Sequence, residues 1–318
     1  MDVYLLTHSE DFFTVDRVAA EVRALKARPI RVDTDLFPRE ASLSVRLGRA
    51  RPQVRWTQGK TTRHLERAHA FWVRRLWPSA PLDTMDVRWA GAADAATRIA
   101  LVDALQLCEG ARFVNPIPAA ERAESKLLQL RLAQRWGPSA PDTLVTNAPS
   151  AVRAFAGRRP VVTKLLVPVV QSMTGHPLFH YTQALSAQDL ESLEGLEHAP
   201  QIFQPRLEKR RELRAIYVGG KFFVGAIESD GSVDWRRSAP SERTRWSIAT
   251  LPRDVAARAR RMMKSLGLSY GALDFIDTPK GEHVFLEVNP SGEWGWLERD
   301  LGLPIAQALA RMLVLGRA

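Results

Sequence analysis

The stretch GALDFIDTPKGEHVFLEVNPSGEWGWLE, residues 271–298, decides how this chain is read. GALDFID and HVFLEVN are apolar runs of strand length, and TPKG between them carries the proline and glycine of a turn. Folded as a hairpin, they bring Asp274 and Glu287 side by side. Glu287 and Asn289 lie two residues apart, so they share one face of their strand. Carboxylates in mostly apolar strands are costly to bury unless something positive sits between them. All three residues offer hard oxygen donors, the kind that suits Mg²⁺ carrying a bound phosphate. A catalytic metal site and a plain polar patch both fit that much.

Working outward, residues 252–266 follow an amphipathic helical pattern, and ELRAIYVGGKFFVGAIES (212–229) reads as a hairpin turning at Gly219 and Gly220. APQIFQPRL (199–207) is a strand ending in a bend at Pro205, and 187–197 holds a short helix. DTLVTN, AVRAFAG and PVVTKLLVPVV (142–170) give strand, helix and strand, preceded by the helix ESKLLQLRLAQRWG (124–137). NPIPAAERAE (115–124) has two prolines and reads as a boundary. At the other end, VYLL (3–6), the periodic helix FFTVDRVAAEVRALKA (12–27) and IRVDTDLF (30–37) have the strand–helix–strand order of a parallel α/β unit. ASLSVRLG and PQVRW predict further strands, and helices are expected over 62–76 and 93–110. The expected class is therefore α/β (α+β), with no repeats and no low-complexity tail. Three domains are expected, over 1–115, 116–200 and 201–318.

Of the 318 residues 45% are hydrophobic and 25% charged, which places the chain among folded globular proteins. A single cysteine, Cys108, excludes an internal disulfide framework, and its apolar helical context predicts a core residue. The start lacks a signal-peptide pattern, and no segment approaches the ~18 uninterrupted apolar residues of a membrane span. A cytoplasmic protein is the expectation. The net charge of +10 favours an anionic partner, although an arginine-rich proteome would carry the same bias. EKRRELR (208–214) is the one dense basic cluster, without interleaved aromatics, so neither DNA nor RNA is expected. Neither a Walker loop nor G-x-G-x-x-G follows a strand, so lysines and metal must hold the phosphates of any nucleotide.

Lys126 opens a helix and Lys164 ends a strand. With IFQPRLEKRRELR (202–214) and the Asp, Glu, Asn set, these residues resemble the ATP-grasp superfamily. Within it, THSEDFFTVDRVAAEVRALKARPIRVDTDLFP (7–38), FQPRLEKRRELRAIYVGGKFFVGAIES (203–229), VDWRR (233–237) and FLEVNPSGEWGWLE (285–298) are similar, in order and spacing, to the graspetide (microviridin-type) maturases. The likeness covers nearly the whole chain.

The resemblance implies an ATP-grasp fold behind an N-terminal pre-ATP-grasp domain, and a homodimer. It implies an ATP- and Mg²⁺-dependent ligase that phosphorylates Asp or Glu side chains of an acidic precursor peptide, leader plus core, and closes ester or amide rings with Ser, Thr or Lys. Asp274, Glu287 and Asn289 would ligate magnesium, and Lys126 and Lys164 would neutralise phosphates. Gln204, Arg206 and Leu207 form the adenine hinge, and Glu212 is the ribose or purine-side contact. Arg214 and Arg236 would grip the substrate carboxylate or its acyl phosphate, though Arg214 also has Glu212 within reach on its own strand. Two departures stand out: VPVVQSMTGHPLFHYT (167–182) has one glycine where many ATP-grasp enzymes have a rich loop, and Pro205 replaces a common acidic hinge residue. A leader-binding hairpin is expected around 167–182. His8 and Ser9, with no acid partner placed by sequence, read as loop residues, and Trp294 and Trp296 either shield the site or pack the C-terminal helix. Alternatives are a ligase adding a free amino acid to a protein or small acid, and a degenerate fold kept as a peptide- or nucleic-acid-binding module.

Overall fold

A computed structural model of the chain describes residues 1–49, 51–77, 85–166, 182–228, 231–233 and 246–318. It begins with β1 (Asp2–Thr7), α1 (Phe13–Ala24) and β2 (Arg28–Asp33), with β1 and β2 paired in parallel as the sequence pattern requires. Val15, Val18, Ala19 and Val22 of α1 recur at helical spacing and are buried, so the helix lies with one face on the core. An antiparallel meander follows: β3 (Ala41–Arg46), β4 (Gln53–Gln58) and β5 (Thr61–His64).

The helix expected over 62–76 is absent. Its place is taken by β5, a single tight turn at Leu65–Arg67, and β6 (Ala70–Val73). The reason is burial on both faces: Ala70 and Trp72 enter one core while Phe71 enters the other. A central parallel strand of that kind is a continuous apolar run, which periodicity does not distinguish from a helix. The next helix, α2 (Val87–Gln106), starts earlier than expected, capped by Asp86, whose side chain accepts from Arg88 N. β7 (Arg112–Val114) completes the parallel sheet in the order β2-β1-β6-β7. Cys108 is 2% exposed, and burial pushes its thiol up to about 12.

The proline-rich boundary forms a short helix, α3 (Ile117–Ala123), and α4 (Lys126–Trp136) follows with Ser125 as its cap. The central sheet is antiparallel, in the order β10-β9-β11-β8. Its strands are β8 (Leu144–Thr146), β9 (Val161–Lys164), β10 (Gln183–Ala184) and β11 (Gln201–Pro205), with α5 (Pro149–Ala156) and α6 (Ala187–Ser192) packed beside it.

The C-terminal sheet has the order β14-β13-β12-β15-β16. Its strands are β12 (Arg211–Val218), β13 (Lys221–Glu228), β14 (Ser247–Ala249), β15 (Tyr270–Asp277) and β16 (His283–Asn289). One face packs α7 (Arg253–Leu266) through Leu213, Tyr217, Leu273 and Phe275. The other, through Ile216, Val218, Tyr270 and Ala272, joins the core of α1 and α9 (Ile305–Leu315), with α8 (Gly295–Leu301) between. The C-terminal sheet and the N-terminal sheet therefore share a core. Among the described residues, no helix is long and apolar enough to cross a membrane.

Candidate active site

The 271–298 hairpin forms as read. Asp274 of β15 stands opposite Glu287 of β16, and Asn289 stands opposite Ala272. The register slips between Asp274 and Phe275, so Phe285 rather than Leu286 faces Phe275. This bulge resolves a conflict in the sequence. Without it, Phe285 would share a face with Glu287; with it, Phe285 and Val288 both enter the α7 core and Glu287 turns to the other side.

Two cations from different elements meet these carboxylates. Arg214 of β12 lies opposite Asp274, and its Nη1 donates to both Asp274 oxygens at 2.9 Å. The competing pairing with Glu212 does not form, since Glu212 accepts from Lys209 Nζ at 2.7 Å. The Arg214 guanidinium is held above its ordinary pKa: burial pulls it down, but Asp274 beside it prevails. Lys126 Nζ lies 2.6 Å from Glu287 Oε2. What places Lys126 is Gln129, one helical turn further along α4. Gln129 Oε1 accepts from Val288 N at 2.9 Å and its Nε2 donates to Val288 O at 2.8 Å, so the side chain caps the edge of β16 as another strand would.

Past Asn289, every carbonyl of the next four residues receives a side-chain donor. Asn115 Nδ2 reaches Pro290 O at 2.9 Å, Arg75 Nη1 reaches Ser291 O at 2.7 Å, Tyr270 OH donates to Gly292 O, and Arg214 Nη2 donates to Glu293 O at 3.0 Å. Gly292 is required here, because a Cβ would lie 2.4 Å from Ala272 Cβ and 2.9 Å from Arg214 Nη2. The Glu293 carboxylate accepts from Arg74, from Thr14 Oγ1 at 2.7 Å, and from the amides of Trp294 and Gly295. Burial pushes the Glu293 carboxyl up, but Arg74 and these donors outweigh it and bring the pKa down to about 2. Arg74 also donates to Asp11, at 2.9 Å. Trp294 is fully buried and packs the shared core, while Trp296 lies 5.7 Å from the Arg214 guanidinium. Both tryptophans therefore pack on the shared core, and Trp296 also lies against Arg214.

The remaining expected residues lie on the neighbouring sheet and its exit. Lys164 ends β9 in register with Ile202, on the same face as Gln204. Gln204 is buried, with Nε2 donated to Thr143 Oγ1 at 2.9 Å. Arg206 N donates to Pro160 O at 2.8 Å, and Leu207 follows in the irregular exit from β11. Glu212 is partly buried on β12, on the same face as Arg214. Arg236 and the segment expected to bind a leader, apart from Thr182, lie outside the described residues. Sequence reasoning missed Gln129, Asn115, Arg74, Arg75 and Glu293. Only Gln129 carried a signal, a polar residue one turn from Lys126 on a helix that must bury a face.

No group of three His, Cys, Asp or Glu side chains suited to a metal occurs among the described residues. The donors here are two carboxylates and an amide oxygen on one face, already countered by Arg214 and Lys126. That set is too sparse for an all-protein cage but fits Mg²⁺ sharing its coordination with phosphate oxygens.

A parallel α/β lobe, a small antiparallel sheet and a C-terminal sheet carrying this oxygen set define an ATP-grasp ligase. Residues 2–121 match the family model described as the MvdD pre-ATP grasp domain. The crystal structure of macrocyclase MdnB from Microcystis aeruginosa MRC is similar at 39% identity and TM-score 0.86, over 99% of each chain. Macrocyclase MdnC from the same organism, bound with precursor peptide MdnA, matches at 32% identity and TM-score 0.89, over 99% of this chain and 100% of that one. A Chryseobacterium gregarium RiPP-associated ATP-grasp ligase, in complex with ADP and a leader and core peptide, matches at 26% identity and TM-score 0.90, covering 100% and 97%. Among curated proteins none matches. The chain belongs to the graspetide-type ATP-grasp ligases, and it is an ATP-dependent ligase.

Proposed function

We propose that this ligase activates Asp or Glu side chains of an acidic precursor peptide as acyl phosphates and closes them onto Ser, Thr or Lys side chains of the same peptide. The observation that carries this reading is the facing pair Asp274 and Glu287, with Asn289 beside them and a lysine and an arginine already aimed at the carboxylates. The surplus of +10 suits an acidic partner.

Phosphoryl transfer needs positioning and charge neutralisation more than covalent help. Asp274, Glu287 and Asn289 would hold Mg²⁺, which neutralises the phosphates and lets an anionic carboxylate approach them. Lys126, poised from α4, and Lys164, at the end of β9, bring positive charge to the phosphates from two sides. The hinge after Pro205 receives the adenine through backbone groups of Arg206 and Leu207, with Arg206 N already committed to Pro160. Gln204 supports that hinge from beneath, and Glu212 takes the ribose. Arg214 fixes the direction of Asp274 and ties it to the loop after Asn289. The peptide carboxylate oxygen attacks the γ-phosphorus, and ADP leaves with the electron pair of the broken bond. A hydroxyl or amine of the peptide then attacks the acyl carbon, losing its proton as phosphate departs. Trp296 over Arg214 keeps water from the acyl phosphate.

A homodimer is supported by α2, where Trp89, Ala92, Ala96 and Ile99 form one stripe at helical spacing, with Trp89 66% and Ile99 60% exposed. Cytoplasmic residence accords with ATP use and with a lone, buried, unreactive Cys108.

The test is mass spectrometry of an acidic Thr/Glu-rich precursor incubated with the protein, ATP and Mg²⁺. Loss of one water per bond, dependent on ATP, supports intramolecular condensation; a gain of mass points to amino-acid addition instead.

A further inference from the structure

We propose that Asn115, which follows β7 of the N-terminal sheet, is a positioning residue for Asn289: its side-chain amide sets which end of the Asn289 amide is offered to a cation. The proposal rests on the reading of Asp274, Glu287 and Asn289 as magnesium ligands.

Asn289 can serve a metal only through Oδ1, because Nδ2 is a donor. The two ends of a side-chain amide have nearly the same shape, so packing does not tell them apart and a hydrogen bond must. Ser291 N supplies it, donating to Asn289 Oδ1 at 2.9 Å. With the amide turned round, Nδ2 would meet that N–H donor against donor. Gly292 N donates to Asn289 O at 3.2 Å and closes the same turn. One lone pair of Oδ1 is thus spent within the turn, and the other is left for a cation.

What aims the Ser291 N–H is the peptide unit it belongs to. A trans peptide unit is planar and points its C=O and N–H in opposite directions. Pro290 O is the other edge of that plane, and Asn115 Nδ2 donates to it at 2.9 Å. Asn115 therefore acts on Asn289 Oδ1 across a single rigid unit, and the Pro290 ring fixes φ just ahead of it.

Asn115 is itself held on every side. It is 2% exposed, its second N–H donates to Tyr270 O at 2.8 Å, and Oδ1 accepts from Ser269 N and Tyr270 N, each at 2.9 Å. Both donors and both acceptor sites of the amide are used, so it cannot turn without leaving buried groups unpaired. Tyr270 opens β15, the strand of Asp274, and its hydroxyl donates to Gly292 O. One side chain thus aligns the turn after Asn289 with the strand that carries Asp274.

Docking of the N-terminal sheet does not by itself require this arrangement. Arg112, three residues earlier, donates through Nη1 to Leu313 O at 2.8 Å, and His69 Nε2 lies 2.9 Å from Val314 O. Those bonds tie the same sheet to α9 rather than to the loop, so docking and positioning can be separated by mutation.

The test is the Mn²⁺ affinity of the protein with a non-hydrolysable ATP analogue, read by electron paramagnetic resonance, in a double-mutant cycle with Asn289→Asp. Asn115→Ala should weaken Mn²⁺ binding about tenfold or more, the usual cost of losing a group that orients a metal ligand. In the Asn289→Asp background the same change should cost less than about threefold, because a carboxylate presents oxygen whichever way it turns. Arg112→Ala is the control for docking: its Tm should fall while Mn²⁺ affinity stays at the wild-type value. Asn115→Asp fills the same space and keeps oxygens for Ser269 and Tyr270 but has no N–H for Pro290 O, so it carries the same expectation should Asn115→Ala fail to fold. An equal loss in both Asn289 backgrounds, a loss in Arg112→Ala as large as in Asn115→Ala, or unchanged Mn²⁺ binding in the Asn115 variants overturns the proposal. Wild type that takes up the nucleotide but no Mn²⁺ overturns the metal reading and this proposal with it, whereas wild type that binds Mn²⁺ leaves that reading standing whichever way the Asn115 variants fall.

Discussion

The loop after Asn289 and the central sheet both carry residues of the proposed site but are built to opposite rules. Four consecutive carbonyls of the loop are capped by side chains from four places in the chain, and the N-terminal and C-terminal sheets share one core around it. The central sheet rests on a separate small cluster of Val152, Ala156, Val161, Leu196 and Phe203. Beyond the chain itself, its entry is tied to the C-terminal sheet by Ser139, whose carbonyl accepts from Phe285 N at 2.7 Å. The difference suggests a division of parts: the proposed metal-binding oxygens sit on a firmly held loop and hairpin, and Lys164 rides on the sheet with the smallest core among the described residues.

The largest expected effect comes from breaking the rigid half at its chemistry. Glu287→Ala removes a metal oxygen and leaves Lys126 without its carboxylate, so Mg²⁺-dependent ATP turnover should fall by about a hundredfold or more. Circular dichroism and Tm should stay near wild type, since Glu287 packs no core. Wild-type turnover in this variant would return the hairpin to a polar patch.

Gln129→Leu breaks the rigid half at its joint. The buried N–H and C=O of Val288 lose their partners, which should cost roughly 2–4 kcal/mol in urea unfolding. Activity at saturating ATP should fall with it, because Lys126 is placed by the same helix face. Lys164→Ala tests the other half: its KM for ATP should rise about tenfold with Tm unchanged, and hydrogen exchange over 144–164 and 201–205 should slow less on adding Mg²⁺ and nucleotide than in wild type. Equal exchange protection in the central sheet and in β15–β16 without nucleotide would erase the distinction between the halves.

The same contrast explains what was legible in the sequence. Asp274, Glu287 and Asn289 were readable because a hairpin with a turn signal fixes which residues face one another. Lys126 was readable as a helix opening, but not its distance from Glu287, which depends on Gln129 meeting a strand 159 residues away. β6 was lost to a helical reading because a strand buried on both faces has no alternation to reveal it. The arginines 74 and 75 had no pattern at all: their meaning comes from the loop they reach, which lies more than two hundred residues downstream.

The smallest effect probes the clamp through pH. Glu293 has its pKa lowered to about 2 by Arg74 and three further donors, from an ordinary value near 4.5. A depressed carboxylate pKa contributes stability that is complete above the unfolded value and is lost as pH falls through the folded one. The window for Glu293 is therefore about pH 4.5 down to about 2. Its side chain is 38% exposed, so solvent screening trims the contribution to about 1–2 kcal/mol. In Glu293→Gln this segment of the stability curve should flatten, while the variant starts less stable at neutral pH because Arg74 keeps only Asp11. An acid limb identical in wild type and variant would mean that the loop is held by its carbonyl contacts, with the carboxylate adding nothing to the clamp.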